Sequence, residues 1–395
     1  MNNEQIIDDL LDRGVENIIS DRESLKQRLT SGDTLNCYLG IDPTATRIHL
    51  GHAFPLRKLQ QMVELGHNVT FLIGSYTALV GDTSDKNDER PMLTMEQIEQ
   101  NFTEYKEQAS KYLDFDRVTL AYNGDWLSKL SFKDVLELAG NFSVNDFTSR
   151  ELIRKRLDEG KRVSLPETLY PLMQGYDSYH MDTDIQFGGT DQTFNMQAGR
   201  TLNKRLRDKD SFIVANGFLP GTDGRKMSKS WDNAIWMNDP ADEVFGKIMR
   251  VSDDVVRQYF EYATSLPMNE VDQKLAEMKD QPMQLKKVLA RQVVSELCGE
   301  DSVASAEEHF VATVQNKEAG NDVLTANIGS PITGMQLVDI IVEHELAESK
   351  SQARRLIEQG AVRLDDETVH LLSKFEFSGS KTLRVGKRRY LKLEA

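Results

Sequence analysis

Two short segments concentrate side chains able to handle phosphate. His49-Leu50-Gly51-His52 places two imidazoles at i and i+3 around a glycine, on the same side of an opening helical turn. Gly51 would leave room for a flat ring or a ribose to approach the backbone, and free helix N–H groups favour phosphate. Lys226-Met227-Ser228-Lys229-Ser230 sets two ammonium groups and two hydroxyls within five residues, just after Gly221-Thr222-Asp223-Gly224-Arg225. Point charges on flexible stems, held on a glycine-flanked loop, suit a clamp for departing pyrophosphate. Surface histidines and a solvated lysine loop are the bland alternatives, and finding both segments in this order argues against them. A third segment, Leu169 to Asp177, reads as a helix with Pro171 in its first turn. Tyr170, Gln174 and Asp177 share one face at i, i+4 and i+7. That face is either a polar surface stripe or the wall of a substrate pocket.

Alternating strands and helices must position these groups. Asn36–Ile41 and Asn68–Gly74 read as strands, each followed by a helical pattern, about 51–66 and 95–113. Val118–Tyr122 and Asp184–Phe187 are further strand candidates. The alternation predicts parallel βαβ units, hence an α/β, doubly wound, Rossmann-like catalytic domain over 1–237. Ligands in such folds bind at the carboxyl ends of the strands. Residues 238–319 read as an α-helical domain and 320–334, rich in turn formers, as a linker. Residues 335–395 read as a small α+β unit of two helices followed by strand-like alternation.

Composition narrows the class. The 395 residues carry 48 Lys and Arg against 63 Asp and Glu, a net −15, with 39% hydrophobic residues, the balance of a globular chain. Cys37 and Cys298 stand alone, which excludes a disulfide framework and a Cys-x-x-Cys zinc site. The acidic start lacks a leader pattern, and the uncharged stretch His67–Gly81 is too short and polar to span a membrane, so the chain is expected in the cytoplasm. From Lys350 onward there are eleven Lys and Arg against six Asp and Glu, a local +5 on a body of −20. A basic tail on an acidic body suits a module that binds a polyanion, the alternative being a solvated basic face.

His49–His52 resembles the HIGH signature, and Lys226–Ser230 is a literal KMSKS signature, of class I aminoacyl-tRNA synthetases. The Leu169–Asp177 segment resembles the substrate helix of the tyrosyl-tRNA synthetase family, and Ser349–Asp365 resembles an S4 RNA-binding module. The resemblance implies an enzyme that activates L-tyrosine with ATP, brought with Mg2+, to tyrosyl-adenylate and transfers tyrosine to tRNA(Tyr). It implies a homodimer and no protein-bound metal.

Roles for individual residues follow from the same resemblance. Thr44 and His49 would bind the leaving phosphates, His52 the adenosine side, and Lys226 and Lys229 would neutralise pyrophosphate. Asp177 and Tyr38 would hold the phenol hydroxyl, and Tyr170, Gln174 and Asp82 the α-amino group. Asp177 without a phenol partner would be left unpaired, which would reject phenylalanine. Gln192 would lie near the substrate carboxylate and Asp191 on the ribose. Gly40, Asp42, Gly51, Gly189 and Ser230 would complete the ATP site. Lys86 and Arg90 would be further cations for pyrophosphate, in a stretch departing from the family pattern at Thr83 and Asp85. Lys350, Gln352, Arg355, Lys387 and Arg388 would meet tRNA. A tryptophanyl-type enzyme normally lacks the S4 tail and the Tyr38/Asp177 pair. A nucleotidyltransferase lacks this substrate helix, and a non-catalytic RNA-binding regulator would have lost the signature residues.

Overall fold

The apolar run Cys37-Tyr38-Leu39 is buried on both faces, as a central parallel strand requires. In the computed structural model, which describes residues 2–81, 94–227, 231–315, 325–328, 331–365, 367–376, 379–386 and 389–394, it forms the middle of a six-stranded sheet. The strands are β1 (Val15–Ile19), β2 (Asn36–Ile41), β3 (Asn68–Ile73), β4 (Thr119–Tyr122), β5 (Ile185–Gly189) and β6 (Phe212–Asn216), in the spatial order β1-β6-β5-β2-β3-β4. The chain leaves β2 toward β3 on one side and β5 toward β6 on the other. The strand order therefore reverses between β2 and β5, and a crevice opens beyond their carboxyl ends.

The helix Ala53–Glu64, which follows the histidine segment, buries Phe54, Leu56, Leu59, Met62 and Val63 at helical spacing and packs on β2, β3 and β5. Each such side chain contributes about 1.5–3 kcal/mol by leaving water. The sheet is not wholly parallel. β1, which the sequence reading did not identify, runs antiparallel to β6 and closes that edge. β6 was also missed.

The chain divides into two compact units, Met1–Ser302 and Val303–Ala395. The helices Ala241–Met249, Val256–Ala263, Met268–Glu277 and Pro282–Cys298 belong to the first unit, not to a separate helical domain over 238–319. The reason lies at the end of the Val256–Ala263 helix, where two distant arginines take up the terminal carbonyls. Arg13 donates to the carbonyls of Phe260, Glu261, Thr264 and Leu266 at 2.6–3.0 Å, and Arg57 to those of Tyr262 and Ala263, each at 2.9 Å. Buried helix-end carbonyls need such donors, so this helix is fastened to the N-terminal segment and to the Ala53–Glu64 helix.

The second unit packs helices Gly334–Glu343 and Lys350–Glu358 on a five-stranded sheet, with Leu337, Ile341, Ile357, Val362, Leu383 and Leu391 in its core. The expected linker contributes strands to this unit. Thr325–Asn327 runs parallel to the terminal strand Arg389–Glu394, and Ile332–Thr333 pairs with Lys374–Phe375. Turn formers at 320–334 concealed segments too short to show a periodicity.

Candidate active site

The histidine segment leaves β2 and turns through Leu50–His52 into the Ala53–Glu64 helix. Two backbone hydrogen bonds, Leu50 N–H to Ile235 O at 2.8 Å and Met237 N–H to Ile48 O at 3.0 Å, pin it to the stretch that follows the lysine signature. The two chemistry-bearing segments, far apart in sequence, are thus adjacent. The imidazoles of His49 and His52 lie 4.1 Å apart, centre to centre. Burial, then the neighbouring His52 and Lys226, pushes His49 down to about 2, and burial also lowers His52. Both rings are neutral near pH 7 and act as hydrogen-bonding groups rather than cations. His52 Nδ1 lies 3.2 Å from the His49 carbonyl and must carry the proton there, since a carbonyl only accepts. His49 Nδ1 is buried without a hydrogen-bond partner among the described residues. The space over Gly51, expected for a ligand, is occupied by His49: an added Cβ would meet that ring at 3.0 Å.

A cavity of about 270 Å³ opens at the carboxyl ends of β2, β3 and β5. Of the residues singled out from sequence, Tyr38, Gly40, Asp42, Thr44, His52, Tyr170, Gln174, Asp177, Asp191 and Gln192 line it. The substrate-helix candidate begins earlier than expected, at Leu165. Pro166 takes the first-turn position and Pro171 lies inside the helix, where it removes the donor to the Glu167 carbonyl. The face carrying Tyr170, Gln174 and Asp177 points into the cavity and is not a surface stripe.

Asp177, only 2% exposed, accepts from Trp126 Nε1 at 2.7 Å and from Asn123 Nδ2 at 3.1 Å. It is therefore not unpaired without a ligand, contrary to expectation. Burial pushes its carboxyl up to about 8, against the pull of those two hydrogen bonds. Tyr38 donates its hydroxyl to Gln186 Oε1 at 3.1 Å.

Asp42, expected beside the nucleotide, is held within the same pocket. Tyr170 Oη donates to its Oδ2 at 2.8 Å and Thr77 Oγ1 to its Oδ1 at 2.7 Å. Asn123 donates in turn to Thr77 Oγ1 at 3.0 Å, so a continuous chain of hydrogen bonds joins Asp42 to Asp177. Gly74 makes this possible, because a Cβ there would stand 1.9 Å from Asp42 Oδ1. Gly74, Thr77, Asn123, Trp126 and Gln186 were missed in the sequence. Gly74 and Asn123 each directly follow a strand, the position at which α/β folds carry their ligand groups, and could have been found by that rule.

Beside the cavity-lining Asp191, Lys226 Nζ lies 3.7 Å from its Oδ2 and 5.1 Å from the centre of the Phe218 ring. Gly189 has no room for a side chain, since Asp191 Oδ1 would be 2.7 Å from its Cβ. Gln192 Oε1 accepts from Asn195 at 3.0 Å. Asp82, Lys86, Arg90, Lys229 and Ser230 lie outside the described residues, as do Lys387 and Arg388. In the second unit Lys350 pairs with Asp339 at 2.7 Å, Arg355 is exposed, and Gln352 spends its carbonyl on the Glu348 N–H at the start of its helix. Gly360 ends that helix in a left-handed conformation, as the sequence predicts. Among the described residues no three His, Cys, Asp or Glu are grouped to hold a metal ion.

The family description "tRNA synthetases class I (W and Y)" matches residues 30–315, and "S4 domain" matches 335–373. A tyrosine–tRNA ligase of Thermotoga maritima is 39% identical over 390 residues, covering 97% of this chain and 96% of the relative. A tyrosine–tRNA ligase 2 of Vibrio vulnificus is 37% identical, covering 96% of each. Among solved structures, a tyrosyl-tRNA synthetase of Archaeoglobus fulgidus complexed with L-tyrosine superposes with a TM-score of 0.61 at 22% identity, over 78% of this chain and 99% of that one. At that identity the likeness speaks for the fold alone.

Proposed function

The chain belongs to the tyrosine–tRNA ligases of the class I aminoacyl-tRNA synthetases, and from that premise we propose how its residues divide the work. The enzyme activates L-tyrosine with ATP, releases pyrophosphate, and transfers the tyrosyl group to the 3′ end of tRNA(Tyr). The observation that carries the tyrosine assignment is the buried Asp177, aimed into the cavity between Tyr38 and the two donors Asn123 and Trp126. A buried carboxylate that lines the cavity and already accepts from Asn123 and Trp126 has lone pairs left to accept a further bond from a phenol O–H. An unsubstituted ring has no such donor and forgoes that bond.

Asp42 and Tyr170, with Gln174 and Asp82, form the end that receives the α-ammonium group. The tyrosine carboxylate then attacks the α-phosphorus, near Gln192, while Asp191 and Gly189 hold the ribose. Gly40 and Ser230 complete the nucleotide site. Because no covalent nucleophile is required, the protein's contribution is alignment and charge stabilisation. Thr44 and the neutral His49 donate to the leaving phosphates, and His52 serves the adenosine side. Lys226, Lys229, Lys86 and Arg90 neutralise pyrophosphate as it departs. Mg2+ enters with the ATP phosphates. The second unit presents Lys350, Arg355, Lys387 and Arg388 to tRNA phosphates, a contact that carries affinity more than sequence. Gln352, already used as a helix cap, contributes by shaping that surface.

A homodimer is supported by the apolar side chains left on the first unit. Phe132, Leu136, Val144 and Leu165 are 58–78% exposed, a density that a second copy would cover. The reading places the enzyme in the cytoplasm with its tRNA. Tyrosine-dependent ATP–pyrophosphate exchange tests the assignment. Exchange should start with tyrosine and not with tryptophan or phenylalanine, and the reverse preference would overturn it.

A further inference from the structure

The lysine signature is tied at its base by a residue outside it. Residues Gly221 to Lys226 form a tight turn, closed by Gly221 N–H to Arg225 O at 2.6 Å and Gly224 N–H to Gly221 O at 2.9 Å. Asn233, on the far side of the signature and only 2% exposed, packs against this turn. Its Nδ2 donates to Asp223 Oδ1 at 2.8 Å and to the Lys226 carbonyl at 3.1 Å, while its main-chain carbonyl accepts from Thr222 N–H at 3.0 Å. Gly221 is needed for this approach, since a Cβ there would stand 2.3 Å from Asn233 Nδ2. Asp223 also accepts from Arg225, whose guanidinium lies 4.5 Å from the centre of the Trp231 ring. Hydrogen bonds from Asn233, then Arg225, hold the Asp223 carboxyl down at about 2.

We infer that Asn233 is a positioning residue for adenylate formation: by holding the Lys226 carbonyl and Asp223 together it fixes the backbone from which the Lys226 ammonium reaches the departing pyrophosphate. The chemistry follows from its amide nitrogen, whose two protons go to the Asp223 carboxylate and to the Lys226 carbonyl. A side chain that only filled space would not need to donate to a backbone carbonyl within the signature, and the same contact could not be made by an acidic or apolar residue of its size. Lys226 Nζ sits on a flexible stem, so fixing its main chain confines where the charge can act, which matters most in the transition state. The inference rests on the reading above that Lys226 neutralises pyrophosphate.

The test uses the full-length protein and single-turnover formation of tyrosyl-adenylate, with tyrosine binding measured separately. Asn233→Ala should slow adenylation by roughly tenfold or more, the loss of a hydrogen bond expressed in the barrier, while tyrosine affinity stays within about twofold. In a Lys226→Ala background the same change should add less than about a further twofold, because the group it positions is gone. Asn233→Ser, a smaller change that retains a hydroxyl donor, should fall between wild type and alanine. A wild-type rate in Asn233→Ala or Asn233→Ser would overturn the inference, as would full multiplication of the losses in the double variant. Loss of tyrosine binding in both single variants would also overturn it, by assigning Asn233 to the fold. A wild-type rate in Lys226→Ala alone would instead remove the reading of Lys226 on which it rests.

Discussion

Replacing Asp177 separates its two tasks. In Asp177→Ala the substrate phenol loses a charge-assisted hydrogen bond, worth about 1.5–3 kcal/mol and more in a closed site. Trp126 Nε1 and Asn123 Nδ2, now donating at 2.7 and 3.1 Å, also lose their acceptor. That second loss is present in free and bound enzyme alike, so it lowers the melting temperature rather than kcat/KM. The transition-state loss for tyrosine should therefore be about 2–4 kcal/mol, roughly 30- to 1000-fold in kcat/KM, with little change for phenylalanine. Pyrophosphate exchange with each amino acid measures this ratio. Unchanged discrimination would refute the role given to Asp177. The carboxyl also has a pH signature. Raised from 3.8 to about 8 by burial, it keeps its proton in the folded state where the unfolded chain has lost it. Its contribution to stability is thus full below about pH 4 and declines as pH rises toward 8. Tyrosine donates to the ionised form, so its affinity should increase with pH up to about 8 and then level off. A pH-independent affinity, or the same stability slope in Asp177→Asn, would show that this carboxyl does not titrate as argued.

Other consequences can be checked with equal directness. Gly74→Ala would drive a methyl into Asp42, which lies 1.9 Å from the ideal Cβ. Tyrosine binding should weaken by about tenfold or more as the Asp42–Thr77–Tyr170 contacts open, and isothermal titration at wild-type affinity would contradict the geometry. A chain ending at Ser302, where the first unit ends, should keep tyrosyl-adenylate formation but lose most tRNA charging; equal charging by the shortened chain would show that the second unit is not the anchor. Charging by the full chain should also fall with salt far more than exchange does. Phe132→Asp, at a side chain 78% exposed, should leave the subunit folded but shift sedimentation from dimer toward monomer, and an unchanged dimer would place the interface elsewhere.

Local spacing alone carried a large part of this protein. The runs at Asn36–Ile41 and Asn68–Ile73 are apolar because central parallel strands are buried on both faces, so they are legible without coordinates. The histidine and lysine segments, and the i, i+4, i+7 face of the substrate helix, are also contiguous patterns, and His52 and that helix face line the cavity. The partners that tune those groups are not contiguous. Asn123 and Trp126 reach Asp177 across more than 50 residues of sequence, Tyr170 reaches Asp42 across 128, and Arg13 caps a helix that ends some 250 residues away. β1 escaped notice because Glu16 and Asn17 interrupt its apolar run, and the pairing that stabilises it is supplied by β6, some 200 residues away. The merger of the helical region with the sheet, and the strands inside the expected linker, were decided in the same way. A buried carbonyl or carboxylate must find a donor, yet nothing in local sequence says which distant side chain will supply it; only the packed chain brings the two together.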